Sequence, residues 1–256
     1  MALKLEENWD KYWDGSSSYP IGPMTTTYAY AGGVGWNHPI DSFTQWAWNP
    51  QVKQPLPVVD ASSMPYSGLV TAGNKILFYG RSDGIHFPNL YRGIVPENRI
   101  LNDGSTYWFA FTASCNTNKE DVTLKLNGIS AVKDGTDMVI YKHSLSNTRP
   151  SLTLSVAYEG SKQQCFIGDA NYTPHLIMMQ IASTGDTNTP VTITTWADPD
   201  LSTDPSQWNQ KGSYTAYMSS IKGLRLDTGR CSSGIDSKNY FDSFRIATTW
   251  QEAVGL

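Results

Sequence analysis

TYWFAFTAS, residues 106–114, contains no charged residue and alternates aromatic, small and β-branched side chains. A run of this length, apolar on both alternating faces, predicts a strand whose two sides are both covered. HLIMMQIA (175–182) has the same character. Two such segments predict strands in the middle of a two-sheet core.

Working outward, helical periodicity is almost absent. Short runs recur instead at 74–80, 121–126, 136–144, 151–160, 191–198, 223–228 and 241–249. Between them lie turn signals. Asn127-Gly128 and Asp134-Gly135 can supply the positive φ angles of primed hairpin turns, and YEGSKQQC reads as a second hairpin loop. Many β-runs at short spacing predict an all-β sandwich or barrel, built as one domain over residues 1–256. Residues 13–66, rich in Gly, Pro, Ser and Trp, are expected to wrap one edge or build a surface site. DPDLSTDPSQWNQ (198–210) is a second large loop, with one helical turn expected after Asp204-Pro205.

Composition agrees. The chain has 256 residues, of which 16% are charged and 12% aromatic, with a net charge of −4. Low charge with abundant Thr, Tyr, Gly and Asn suits pleated sheets and polar turns rather than a helical bundle. A sequence pI near 5.5 and the lack of any Lys/Arg cluster argue against nucleic-acid binding. No apolar run is long enough to span a bilayer as a helix. The start, MALKLEENWDKYWDG, lacks the basic, apolar and small-residue regions of a signal peptide. The expectation is nevertheless a secreted or cell-surface protein whose leader has been removed. Cys115, Cys165 and Cys231 show no metal-type spacing, which leaves one disulfide or three reduced thiols open.

The order of short motifs carries a resemblance. EENWD (6–10), AGGVGW (31–36), MPYSGLVTAGN (64–74), GSTYWFAFTAS (104–114), TPHLIMMQI (173–181), TWADPD (195–200) and FDSFRIATTW (241–250) follow one another. In this order the chain resembles the concanavalin A-like, laminin-G-like jelly-roll domains of exported bacterial proteins, planctomycetes and verrucomicrobia among them. The resemblance implies two facing antiparallel sheets, one concave. It implies no activity, because this fold hosts lectins, binding modules, hydrolases, lyases and adhesive domains. The tracts 15–30 and 49–64 are richer in Pro and Tyr than the family pattern, and any special function is expected there.

Catalytic motifs are sparse. Family-16 glycoside hydrolases of this fold place a Glu-x-Asp-x-x-Glu strand on the concave face, where two carboxylates flank a sugar bond. None of the six glutamates here lies in such a strand. No Gly-x-Ser-x-Gly or His-Glu-x-x-His pattern occurs. Lyases of the fold use an Arg-rich strand, a Gln-x-His strand and a Tyr near a Lys. Here the four histidines stand isolated, although Tyr141 and His143 would share a strand face as a weak acid–base pair.

Binding features are more plentiful. An indole offers a flat face to a pyranose while neighbouring amides bond its hydroxyls. In FTQWAWNPQ (43–51), Trp46 and Trp48 lie two apart, bracketed by Gln45 and Asn49. They read either as a ligand face or as core. Trp208 with Gln207 sits in a polar loop and is expected at the surface. Tyr91 and Arg92 are weaker candidates, whereas Trp36 and Trp108 read as core.

Strict alternation in FDSFRI puts Asp242 on one face with Phe244 and Ile246, and Arg245 on the other. A buried Asp242 needs an arginine, backbone N–H groups or a cation. Similar jelly rolls bind a structural calcium through the aspartate of an Asp-x-x-Arg/Lys last strand, with backbone carbonyls completing the site. That resemblance implies Asp242, the Glu7 region and Gly73 as a calcium site. The chain thus reads as a non-catalytic glycan-binding or adhesive module with polysaccharide as partner. The rivals are a lyase or hydrolase with an unusual concave-face site, or a structural subunit of a surface assembly.

Overall fold

A computed structural model of the chain describes residues 5–7, 22–23, 42–43, 58–71, 73–79, 89–114, 121–129, 137–147, 151–158, 161–169, 173–209, 212–228 and 238–256. Seventeen strands lie within them. The first seven are β1 (Leu5–Glu7), β2 (Gly22–Pro23), β3 (Ser42–Phe43), β4 (Val58–Asp60), β5 (Lys75–Tyr79), β6 (Asn89–Gly93) and β7 (Ile100–Leu101). The central ones are β8 (Thr106–Ser114), β9 (Asp121–Ile129), β10 (Asp137–Asn147), β11 (Ser151–Tyr158) and β12 (Ser161–Asp169). Then come β13 (His175–Ala182), β14 (Val191–Ala197), β15 (Gly212–Ala216), β16 (Ser220–Thr228) and β17 (Lys238–Ala247), followed by one short helix, α1 (Trp250–Val254).

They form two antiparallel sheets, an all-β jelly-roll sandwich. The first sheet runs β15-β14-β13-β8-β17-β5-β4-β2, with β1 also paired to β17. The second runs β12-β11-β10-β9-β16-β6-β3, with β7 beside β16. The described parts of residues 13–66 thus supply β2, β3 and β4, of which β2 is the last strand of the first sheet and β3 the last of the second.

The strand that opened the reading is central. β8 lies between β13 and β17, and Tyr107 through Ser114 are all buried. Trp108 and Ala110 join a cluster with Leu69, Trp208, Ala253 and Val254, residues that come from loops and α1 rather than from either sheet. The alternate set, Tyr107, Phe109 and Phe111, therefore faces the second sheet. There Phe109 and Phe111 pack against Phe241 and Phe244 of β17. The first sheet has two apolar faces, which is why its central strands lack polar alternation.

One local expectation is corrected. Asn127-Gly128 is not a hairpin turn but lies inside β9, where Asn127 pairs with Val139 on one side and Gly223 on the other. Irregular steps in both partner strands adjoin this pair, between Val139 and Tyr141 and between Ile221 and Gly223. A glycine within a strand often marks such a bulge. Asp134-Gly135 lies outside the described residues. The second hairpin is present, with Tyr158 of β11 opposite Ser161 of β12.

The tail after β17 is helical, not extended. The Thr249 hydroxyl accepts from the Glu252 amide at 3.3 Å and donates to the Glu252 carboxylate at 2.9 Å. This variant of the Thr-x-x-Glu capping pattern starts α1. Gly255, at φ 86°, ends it. A Cβ on Gly255 would lie 2.8 Å from Val70 Cβ, so the close approach also requires glycine.

Candidate functional site

The last strand carries the first polar constellation. From Asp242 to Arg245, β17 advances three residues while its partner β8 advances two, from Thr112 to Ala110. The extra residue is Ser243, at φ 52°. This bulge shifts the alternation. Phe241, Phe244 and Ile246 point to the second sheet, while Asp242, Arg245 and Ala247 share the outer face with Thr112, Ala110 and Trp108. The strict alternation expected from the sequence is corrected accordingly: Asp242 sides with Arg245, not with Phe244.

Asp242 is 1% exposed. One carboxylate oxygen accepts from the Met64 amide at 2.6 Å and the other from the Ser243 amide at 2.6 Å. Burial pushes its pKa up to about 7, against these hydrogen bonds and the charges of Lys75 and Arg245. Arg245 is also buried, and its Nε donates to Glu6 Oε1 at 2.9 Å. Glu6 lies opposite Arg245 in β1, so an ion pair and a strand pairing together bind the two ends of the described chain.

Among the described residues, no three His, Cys, Asp or Glu side chains converge as a metal cluster. A cation at Asp242 would need backbone oxygens for its remaining ligands. Gly73 is an exposed bend residue at φ 75°, and Glu7 lies in β1 opposite Phe244. Each Asp242 oxygen keeps one lone pair beyond the N–H it accepts, so the carboxylate retains the capacity to ligate a hard cation.

The second constellation caps the outer face of the first sheet. Trp108 and Trp196 stack at 5.6 Å. Trp208 stands edge-on to both, and Trp250 packs edge-on to Trp208 at 5.4 Å. The surface role expected for Trp208 is thereby corrected, for the residue is 6% exposed. Asp204 accepts from the Ser206 amide and starts the short 3-10 turn Pro205–Gln207, which folds the indole back onto the sheet. The indole N–H then donates to the Asp200 carbonyl at 2.9 Å, which satisfies its only polar atom. The helical turn after Asp204-Pro205 is as expected. Gln207 is exposed.

Nor is His175 isolated. Its Nδ1 lies 2.6 Å from Asp198 Oδ2, and the other oxygen accepts from the Leu176 amide at 3.0 Å. The Tyr66 hydroxyl also bonds Asp198, and burial, followed by the Asp198 charge, raises its pKa well above the ordinary tyrosine value. This network ties the start of β13 and the end of β14 to the segment before β5. Asp198 adopts φ 50°, an uncommon conformation for a residue with a Cβ. Three partners hold its carboxylate in place.

A third cluster joins loops at one end of the sandwich. The Asn102 carbonyl oxygen accepts from the amides of Thr184 and Gly185, and its NH2 donates to the carbonyls of Asp186 and Met218. Nearby, Tyr107 donates to Asp103 at 2.8 Å. Burial, with that bond and charge, pushes the phenol up to about 12.

Of the remaining candidates, Gln45, Trp46, Trp48 and Asn49 lie outside the described residues. So do Trp36, Cys115 and Cys231. Tyr91 and Arg92 belong to β6, paired with Arg225 and Leu224. Tyr141 and His143 stand in β10 opposite Leu126 and Leu124. The structure thus brings together groups that the sequence reading left apart: Tyr66 with Asp198 and His175, and Trp250 with Trp208.

No family model matches the chain, and no curated protein does. Among solved structures it is similar to an endo-β-1,4-glucuronan lyase from the fungus Trichoderma reesei, with a TM-score of 0.47 and 10% identity over 90% of this chain and 94% of that one. It is also similar to a variant of alginate lyase Aly36B in complex with an alginate tetrasaccharide, with a TM-score of 0.48 and 13% identity over 96% of each chain. The CBM2 module of the evolved Dit of Lactobacillus casei BL23 phage J-1 aligns with a TM-score of 0.42 and 10% identity, over 80% of this chain and 86% of that one.

Proposed function

We propose that the chain is a non-catalytic glycan-binding or adhesive module that works outside the cell. The observation that carries the reading is what three of the described carboxylates do. Asp103, Asp198 and Asp242 each hold backbone amides or side chains of the scaffold in place. An acid–base pair for cleaving a sugar bond must instead point at substrate.

The sugar-contacting role falls to Trp46 and Trp48, with Gln45 and Asn49 for the hydroxyls. The support is in the sequence, where two tryptophans stand two apart between Gln45 and Asn49. A structural calcium held by Asp242, with backbone oxygens near Glu7 and Gly73, is part of the same proposal.

A glycan array, with reducing-sugar and unsaturated-product assays on the same polysaccharides, tests it. Binding without product formation is expected, and it is lost in the Trp46→Ala/Trp48→Ala variant. Turnover of any polysaccharide would replace this reading with the lyase or hydrolase one.

A further inference from the structure

The outer cap has an exposed end. Trp250, Tyr66 and Leu201 are partly exposed, and each packs against the buried tryptophan cluster. Val70, 48% exposed, joins α1, since its amide bonds the Val254 carbonyl at 3.0 Å. Exposed apolar groups gathered on one cluster mark a contact site more often than scattered single residues do.

The polar groups around it have a definite character. Gln207, Asn209 and Gln251 are exposed neighbours in sequence of Trp208 and Trp250. Asp200 and Asp204 are exposed too, and hydrogen bonds from Ser202 and Ser206 hold both below the usual carboxylate range. Segments 64–71, 198–209 and 249–256, which build the cap, contain no Lys or Arg. Arg245 is buried and paired with Glu6.

We propose that this end of the cap is a second glycan-contact surface, specific for neutral hexose polymers, with Trp250 as its stacking residue. The inference rests on the glycan-binding reading above and adds a site to it. An indole already fixed by the rings beneath it loses little freedom when a pyranose stacks on it. The amides and carboxylates of the rim accept from and donate to sugar hydroxyls. The same carboxylates, with no Lys or Arg in these three segments to offset them, repel a polyuronate. Charge therefore selects against acidic polysaccharides.

Affinity gel electrophoresis of the whole chain in soluble β-glucan, galactomannan or alginate tests the site. The panel is wild type, Trp250→Ala, Trp250→Phe, Gln207→Ala/Gln251→Ala and Trp46→Ala/Trp48→Ala, each checked for cooperative melting. Wild type is expected to be retarded by a neutral polymer and not by alginate. Trp250→Ala should weaken that binding about tenfold, the loss of one stacking contact. The glutamine pair should weaken it several-fold with an unchanged melting temperature. Trp250→Phe, which keeps a ring, should lose less than Trp250→Ala. The glutamine pair carries the test if Trp250→Ala fails to fold.

Neutral-glycan binding that survives the glutamine and Trp250 changes but vanishes in the Trp46→Ala/Trp48→Ala variant would overturn this site and leave the glycan-binding reading standing. Retardation by alginate that depends on Trp250 would overturn the selection against acidic polysaccharides. No binding by wild type to any glycan would remove both proposals.

Discussion

Asp242 shows how far one residue can be read from a sequence. Its identity, within an alternating strand next to an arginine, marked it as an acid needing partners. The partners themselves were not legible. Ser243 carries none of glycine's usual warning of a left-handed bulge, yet it takes φ 52° and moves Arg245 onto the face of Asp242. The Met64 amide that caps the carboxylate lies 178 positions away. The pKa of about 7 in the fold exceeds the ordinary 3.8, so between these values the folded chain binds more protons than the unfolded one. The contribution of Asp242 to stability is therefore greatest at low pH and is lost as pH rises through about 7. Asp242→Asn, neutral throughout, should flatten the wild-type decline in melting temperature between pH 4 and 7 when both are measured in chelator. Identical slopes would contradict the assignment. Asp242→Ala should cost roughly 2–4 kcal/mol, because two buried amides lose their acceptor. Calcium makes a separate demand: chelation should lower the wild-type melting temperature at pH 8 and leave Asp242→Asn unmoved. A wild type indifferent to chelator would remove the metal.

Among the elements, strands with both faces covered were the most legible. β8 and β13 lie where their unbroken apolar runs put them, between other strands of the first sheet. The Thr-x-x-Glu pattern at 249–252 could have signalled α1, but the β-run expected at 241–249 covered its start, whereas β17 ends at Ala247. Trp208 misled for a physical reason. Its loop is polar by composition because the Asp200 and Asp204 carboxylates accept from the backbone amides of Ser202 and Ser206, and that local bonding is what folds the indole inward. Trp208→Ala should therefore cost about 3–5 kcal/mol in urea unfolding, as expected for emptying a buried aromatic site. It should do so through the sheet and α1 alike, since the ring touches Trp108, Trp196 and Trp250. A variant as stable as wild type would show that the ring is not part of the core. Thr249→Ala, which removes only the cap of a five-residue helix, should cost about 1 kcal/mol.

At the scale of the whole molecule, the sandwich is held at several places by polar ties rather than by apolar burial alone. Glu6 with Arg245 joins β1 to β17, Asp198 gathers the cap, and Asn102 binds three loops at one end. These ties use groups that composition alone offers equally well to catalysis, which is why the sequence could not separate binding from turnover. In the structure each of them faces an amide, a carbonyl or an opposite charge of its own chain. The central claim is that this scaffold binds glycan and leaves it intact. The most direct measurement incubates the chain with each polysaccharide it retains and follows the absorbance of unsaturated products together with new reducing ends. The account predicts retention that depends on Trp46 and Trp48, with neither signal rising above the protein-free control. A rise in either signal that scales with protein concentration would contradict it.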